Sequence, residues 1–153
     1  MGNSAIASIY GVVAGWAPTP SSDIAVNVQA YGAANETIHS DMLPMRKIQA
    51  FANESEGEMA YIALGHTVNV VWTIKDRFYF RFATQGQGWV DFADELTAYS
   101  ASYINTMRTN RAPTSQSHIL NARFVPGIFT FPDGSDNRIA GVDVILTIEE
   151  VIA

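Results

Sequence analysis

The longest regular pattern in the sequence is an alternation of apolar and polar side chains over residues 68–82. The even-numbered positions of this run are mainly apolar, and the odd-numbered positions are mostly polar or charged. Alternation with a period of two is typical of a β-strand that buries one face, and this run is far longer than an average strand. After a break at residues 85–88, apolar side chains recur every three or four positions, which predicts an amphipathic helix over residues 89–111.

Shorter patterns predict the remaining elements. Ser4 is a good N-cap for a first helix, which Gly15 and Pro18 would end. Five further segments read as strands or extended chain, the fourth of them with an interruption at Pro126 and Gly127. They are residues 24–28, 42–51, 59–64, 119–131 and 139–152. Turns are predicted at 53–58, 65–66 and 132–137.

The order of these elements favours an α+β fold, in which one mostly antiparallel or mixed sheet carries two helices packed on one face. A chain of 153 residues has the size of one domain, so we predict a single domain over residues 1–153. The apolar edge of the sheet is expected to lie beneath both helices. Its predicted members are Trp72, Ile74, Val142, Val144 and Leu146.

Composition and charge exclude several classes of protein. The net charge is −6 and the nine basic residues form no stripe, so tight binding to nucleic-acid phosphates is not expected. The absence of cysteine excludes disulfides, thiol catalysis and cysteine-rich zinc sites. No signal-peptide pattern opens the chain, and no stretch approaches ~18 uninterrupted apolar residues, so no membrane span is expected. The low charged fraction of 16%, beside 11% aromatic residues, favours self-association.

No motif points to a catalytic, cofactor or metal site. His39, His66 and His118 do not have the spacing of metal ligands. The segment 133–137 lacks the acids and the distal glutamate of a calcium loop. The alternating glutamates of residues 54–58 are flanked by Asn, Ser and Gly, which is typical of a solvated turn.

The glycines at 86 and 88 stand between a strand and a helix, where dinucleotide-binding loops occur. The third glycine of such a loop is missing. Asp91 and Asp94 would repel a phosphate at the start of the helix. This segment is therefore predicted to be a strand-to-helix turn.

Several segments of the C-terminal half together resemble a known family. They are residues 72–77, the helix that carries Tyr99 and Tyr103, the broken strand at 125–127 and the closing strand at 139–150. In these segments the chain resembles the tail terminator (tail completion) proteins of long-tailed bacteriophages. The order of elements matches over most of the chain, and the similarity of residues covers about 66–150.

The resemblance implies a structural protein that is not an enzyme and needs no cofactor. Copies of the chain would form a homohexameric ring that caps the tail tube, ends its polymerisation and joins it to the head connector. Its partners would be further copies of itself, the tail tube protein and the connector protein, with DNA passing through the lumen without specific binding and no membrane involved. The protein would be made in the host cytoplasm and found in the virion tail or neck.

Arg77, Tyr79 and Arg81, on the polar edge of the long strand, are predicted to contact another subunit or the tube. Other interpretations remain open. One is another neck, connector or tail tube subunit. Another is a small enzyme, which a deep pocket with perturbed carboxylates or histidines would reveal. The last is a ligand-binding module with an enclosed apolar pocket.

Overall fold

The structure, a computed structural model, describes residues 4–29, 40–49, 59–64, 67–130 and 137–153. Its helices and strands, in chain order, are α1 Ile6–Gly15, β1 Asn27–Gln29, β2 Met45–Gln49, β3 Met59–Leu64, β4 Thr67–Ala83, α2 Ala93–Thr109, β5 Ser117–Thr130 and β6 Arg138–Ile152. Two 3₁₀ turns, Ser40–Met42 and Trp89–Phe92, precede β2 and α2. The predicted turns at 53–58 and 65–66, most of the turn at 132–137, and His39 and His66 lie outside the described residues.

The long strand β4 is the centre of a single mixed sheet. One of its edges pairs with antiparallel β6 along almost its whole length. The other edge is shared, because β2 pairs with residues 75–79 and β3 pairs with residues 67–72, both antiparallel. The order is β1-β2-β4-β6-β5, with β1 parallel to β2 and β3 beside β4. The predicted α+β fold class is confirmed.

Both helices pack on the same face of this sheet, called here the helix face. The core on this face joins α1 and α2 to β4 and β6 through fully apolar or aromatic side chains. Among its members are Ile9, Val13, Leu96, Tyr99, Tyr103, Ile74, Phe78, Val142, Val144 and Leu146. The predicted positions of Ile74, Val142, Val144 and Leu146 beneath the helices are therefore confirmed. Trp72 on β4 is buried but does not belong to this core.

The opposite face of the sheet, called the second face, is covered by neither α1 nor α2. A smaller apolar cluster lies at one end of it, where Met45, Tyr79 and Ile139 are buried and Phe129 packs against them. The 3₁₀ turn before β2 contributes Met42 to this cluster. The two faces of the sheet therefore carry separate cores.

Several predicted element boundaries are wrong, among them the start of the segment 42–51, which becomes a strand only at Met45. The first strand is Asn27–Gln29 and not 24–28, because only these residues pair with β2 while Ile24 packs against the core as irregular chain. The second helix begins at Ala93, after the 3₁₀ turn. Strand β5 continues through Pro126, which an edge strand tolerates because half of its backbone N–H groups need no partner in the sheet.

A β-bulge in β4 changes which residues share a face. Tyr79 pairs with Gly141, but the next pair joins Arg81 to Ala140, so Phe80 is an extra residue in β4. One extra residue reverses the alternation of side chains beyond it. The side chain of Arg81 therefore belongs to the helix face, like that of Phe80.

Candidate functional site

A buried ion pair lies on the helix face between α1, β2 and β4. Arg46 and Asp76 have fully buried side chains and make two contacts, of which Nε to Oδ1 is 3.3 Å. The guanidinium also donates to the carbonyl oxygens of Trp16 at 2.6 Å and Val13 at 2.9 Å. The Tyr103 hydroxyl donates to Asp76 Oδ2 at 2.7 Å. Since the last carbonyls of a helix lack partners, Arg46 caps the C-terminal end of α1 and fixes it to the sheet.

The ionisation of this cluster is set by burial and by its own charges. Burial lowers the pKa of Arg46, but the adjacent Asp76 outweighs that effect and holds the pKa above its usual value. Burial and then the charge of Asp76 raise the pKa of Tyr103 and of Tyr99 well above the usual value. Arg46 therefore stays charged and both phenols stay neutral at ordinary pH. The cluster is a structural anchor and offers no free base.

A second buried carboxylate holds the other end of α1. Glu150 on β6 accepts hydrogen bonds from the backbone N–H of Ala5, the Ser4 hydroxyl at 2.8 Å, the Gln116 amide at 2.9 Å and the Trp72 indole N–H at 3.2 Å. A negative charge at a helix N-terminus is favoured by the helix dipole. The N-cap residue of α1 is Ala5 and not the predicted Ser4. Ser4 instead donates to Glu150, and its oxygen also accepts the Ile6 N–H at 3.2 Å. Burial raises the pKa of Glu150, but these hydrogen bonds outweigh it and lower the pKa below 4.5.

Replacing Glu150 with glutamine should destabilise the fold by about 1–3 kcal/mol at neutral pH, because a buried set of donors loses its charged acceptor. A carboxylate with a lowered folded pKa contributes stability above its unfolded pKa and loses it as the pH falls through the folded value. The difference between wild type and variant should therefore shrink below about pH 4.5. Urea unfolding at neutral pH and at stepwise lower pH measures both effects.

Glu149→Gln is the matched control, because this neighbouring carboxylate is partly exposed and, among the described residues, forms its ion pair with His118 alone, at 3.5 Å. It should change the free energy of unfolding by less than about 0.5 kcal/mol. A Glu150→Gln difference that stays constant into acid would contradict the assignment of the cap.

A third cluster lies on the second face and includes one predicted interface residue. Arg77 makes a bidentate ion pair with Asp143, with distances of 2.6 and 2.8 Å. Lys75 lies 3.5 Å from the same carboxylate. The Arg77 guanidinium also stacks over the ring of Phe129, 4.1 Å from its centroid. Burial lowers the pKa of Arg77, but its bonds to Asp143 outweigh this and raise it.

The three predicted interface residues are not brought together. Arg77 is paired within the chain, and Tyr79 is only 2% exposed in the smaller cluster of the second face. Arg81 is exposed and stacks over the ring of Phe80 at 4.8 Å, on the helix face. The expectation that all three share one edge is wrong for Arg81, because the bulge turns its side chain to the other face. Of the three, Arg81 is the residue whose side chain is available at the surface.

Arg81 borders a groove at the start of β2, an open cavity of about 660 Å³ lined by residues from both faces of the sheet. The groove lies between β4, the start of β2 and the segment before β1. It is lined by Asp23, Ile24, Ala25, Leu43, Pro44, Phe80, Arg81 and Phe82. Its walls are mainly apolar, with one carboxylate and one guanidinium and no histidine.

The strand-to-helix turn shows why its glycines do not form a phosphate site. Gly86 has φ of +88°, a left-handed conformation that glycine adopts without steric cost. The Asp91 carboxylate accepts the backbone N–H of Gly88 at 2.8 Å, so an acid already occupies the position that an anion would take.

The described part of the chain holds no group of three or more His, Asp or Glu side chains placed to bind a metal ion. No helix in that part is long and apolar enough to cross a membrane. No known protein-family model matches the chain, and no curated protein is similar to it in sequence.

Proposed function

We propose that this chain is a structural subunit of a long-tailed phage tail, which forms a closed ring that caps the tail tube and joins it to the head connector. The observation that carries the proposal is the order of elements within one sheet. A helix, short strands, a 17-residue strand, a second helix and a closing hairpin follow one another. This is the order that the resemblance to tail terminator proteins implies.

The surface of the chain supports self-association. Among the residues that the structure describes, seven large apolar side chains are exposed, on a protein with a low charged fraction. An interface core needs such residues. They are Val28, Phe82, Trp89, Val90, Ile104, Leu120 and Val125. A ring of identical subunits would bury a share of them.

The buried charges of the chain favour a structural role over catalysis. The two carboxylates held most tightly, Asp76 and Glu150, each anchor one end of α1. Both are enclosed by donors from the protein, so neither faces a substrate-sized space. A tail tube subunit is less favoured than a terminator, because such subunits are richer in strands and two helices cover one face here.

The ring is tested by the native mass of the purified chain over a wide range of concentrations. We expect a closed oligomer of about six copies, whose population rises with concentration by mass action. Ring-shaped particles with an open lumen should appear in electron micrographs of the same sample. A monomer at every concentration would contradict the ring.

A further inference from the structure

The groove at the start of β2 contains an apolar surface and an unmatched charge. Phe80 and Phe82 form part of its walls, and Phe82 is one of the exposed large apolar residues. Arg81 stands between them and makes its contact with the Phe80 ring rather than with a carboxylate. Among the described residues no acid lies within ion-pair distance of Arg81, although Asp23 borders the same groove.

The segment that follows β4 carries side chains complementary to those of the groove. Trp89 and Val90 are exposed apolar residues in the 3₁₀ turn, and Val90 is 68% exposed. The residues that follow are acidic, with Asp91 in the same turn and Asp94 and Glu95 in the first turn of α2. This segment therefore presents apolar side chains beside negative charge, whereas the groove presents apolar walls beside a free guanidinium.

The groove and this acidic apolar segment lie towards different edges of the sheet. The groove is formed beside β2, near the β1 edge. The 3₁₀ turn Trp89–Phe92 contacts β6 and β5, near the opposite edge. A contact between two different surfaces of identical chains is heterologous, and it generates a ring when the rotation between neighbours closes.

We infer that the groove of one copy receives Trp89 and Val90 of the next copy, with Arg81 facing the acids at the start of the neighbour's α2. This inference rests on the proposed ring and names the contact that would hold it together. The bulge in β4 makes this contact possible, because it places the side chain of Arg81 in the groove and not on the second face.

Cross-linking tests the contact directly, because the chain has no cysteine of its own. Ala25 is exposed and lines the groove, so Ala25→Cys places a thiol there, and Val90→Cys places one on the inserted segment. A short bismaleimide should link the double variant into a ladder of covalent multimers that ends at the ring size. Each single variant should stay a monomer under denaturing conditions.

The control double variant pairs Ala25→Cys with Ile104→Cys, because Ile104 is exposed on α2 and outside the inferred contact. A ladder from this control as strong as that from the test pair would overturn the inference. If the native mass shows a ring but the test pair gives no ladder, the inferred contact is wrong and the proposed function still stands. A chain that is monomeric at every concentration and gives no ladder overturns both.

A charge placed on the inserted segment gives a second, independent test. Val90→Asp changes an exposed residue, so the monomer should unfold at the same urea concentration as the wild type. The concentration at which the oligomer dissociates should rise by about tenfold or more, because the new carboxylate must lose its hydration against the apolar walls of the groove. Arg81 does not compensate for it in the inferred contact, since it already faces the acids of the neighbour's α2. Ile104→Asp is the matched control and should leave that concentration unchanged. An unchanged dissociation of Val90→Asp would overturn the inference.

Discussion

Replacing Arg46 with methionine should lower the free energy of unfolding by about 3–5 kcal/mol, the usual cost of removing one partner of a buried ion pair. Methionine has a similar length but no charge and no donors. Asp76 would then keep a buried negative charge with only the Tyr103 hydroxyl to oppose it. The carbonyl oxygens of Val13 and Trp16 would also lose the guanidinium as a donor, although Val13 would keep the Trp16 backbone N–H. Urea unfolding at neutral pH, followed by circular dichroism, measures the loss.

Two further variants separate the effect of breaking the ion pair from the other effects of replacing arginine with methionine. Arg123→Met makes the same chemical change at an exposed position and should cost less than about 0.5 kcal/mol. Adding Asp76→Asn to Arg46→Met should recover part of the loss, because the unpaired buried charge disappears. A loss below about 1 kcal/mol for Arg46→Met would show that the guanidinium reaches water and that the anchor of α1 lies elsewhere.

The elements of this fold were largely readable from the sequence, because they follow from local periodicity. The alternation over 68–82 predicted β4, and the three-to-four spacing of apolar residues predicted α2. The predicted helix began four residues early, since Trp89 and Phe92 continue the apolar spacing through a 3₁₀ turn. Periodicity of side chains does not distinguish a tight turn from the first turn of an α-helix.

The buried charged residues could be predicted only in part from the sequence. Asp76 is the one charged residue at the even, apolar positions of the 68–82 run, and a charge there needs a buried partner. The partner, Arg46, is 30 residues earlier and pairs with Asp76 through strand register and helix packing. Neither of these can be read from one sequence. Glu150 is similar, because the residues that surround it come from three distant parts of the chain.

The bulge explains why the predicted interface residues were grouped incorrectly. Arg77, Tyr79 and Arg81 keep a perfect period of two in the sequence, so alternation alone assigns them to one face. The extra residue in β4 becomes visible only from the pairing with β6. Because Gly141 lies opposite, the β4 backbone approaches closely here, and a Cβ on Gly141 would collide with the carbonyl oxygen of Phe78. A glycine within an otherwise apolar strand is the signal that indicates such a site.

Replacing Trp72 with alanine should lower the free energy of unfolding by about 3–5 kcal/mol, as for other buried aromatic residues. Trp72 is 7% exposed on β4, and its indole N–H donates to Glu150 at 3.2 Å. The variant would lose the buried ring and one of the hydrogen bonds that hold the carboxylate at the N-terminus of α1. Trp72→Ala and Glu150→Gln remove the same hydrogen bond. The double variant should therefore lose less free energy of unfolding than the sum of the losses of the two single variants.

Trp89→Ala is the matched control, because it removes the same side chain from a position that is 39% exposed. Measured at a concentration where the chain is monomeric, it should cost less than about 1 kcal/mol. A loss below about 1 kcal/mol for Trp72→Ala would place the indole at the surface and contradict the helix face described here. Strict additivity of Trp72→Ala and Glu150→Gln would show instead that the ring is buried independently of the cap, because residues that share a hydrogen bond couple in such a cycle.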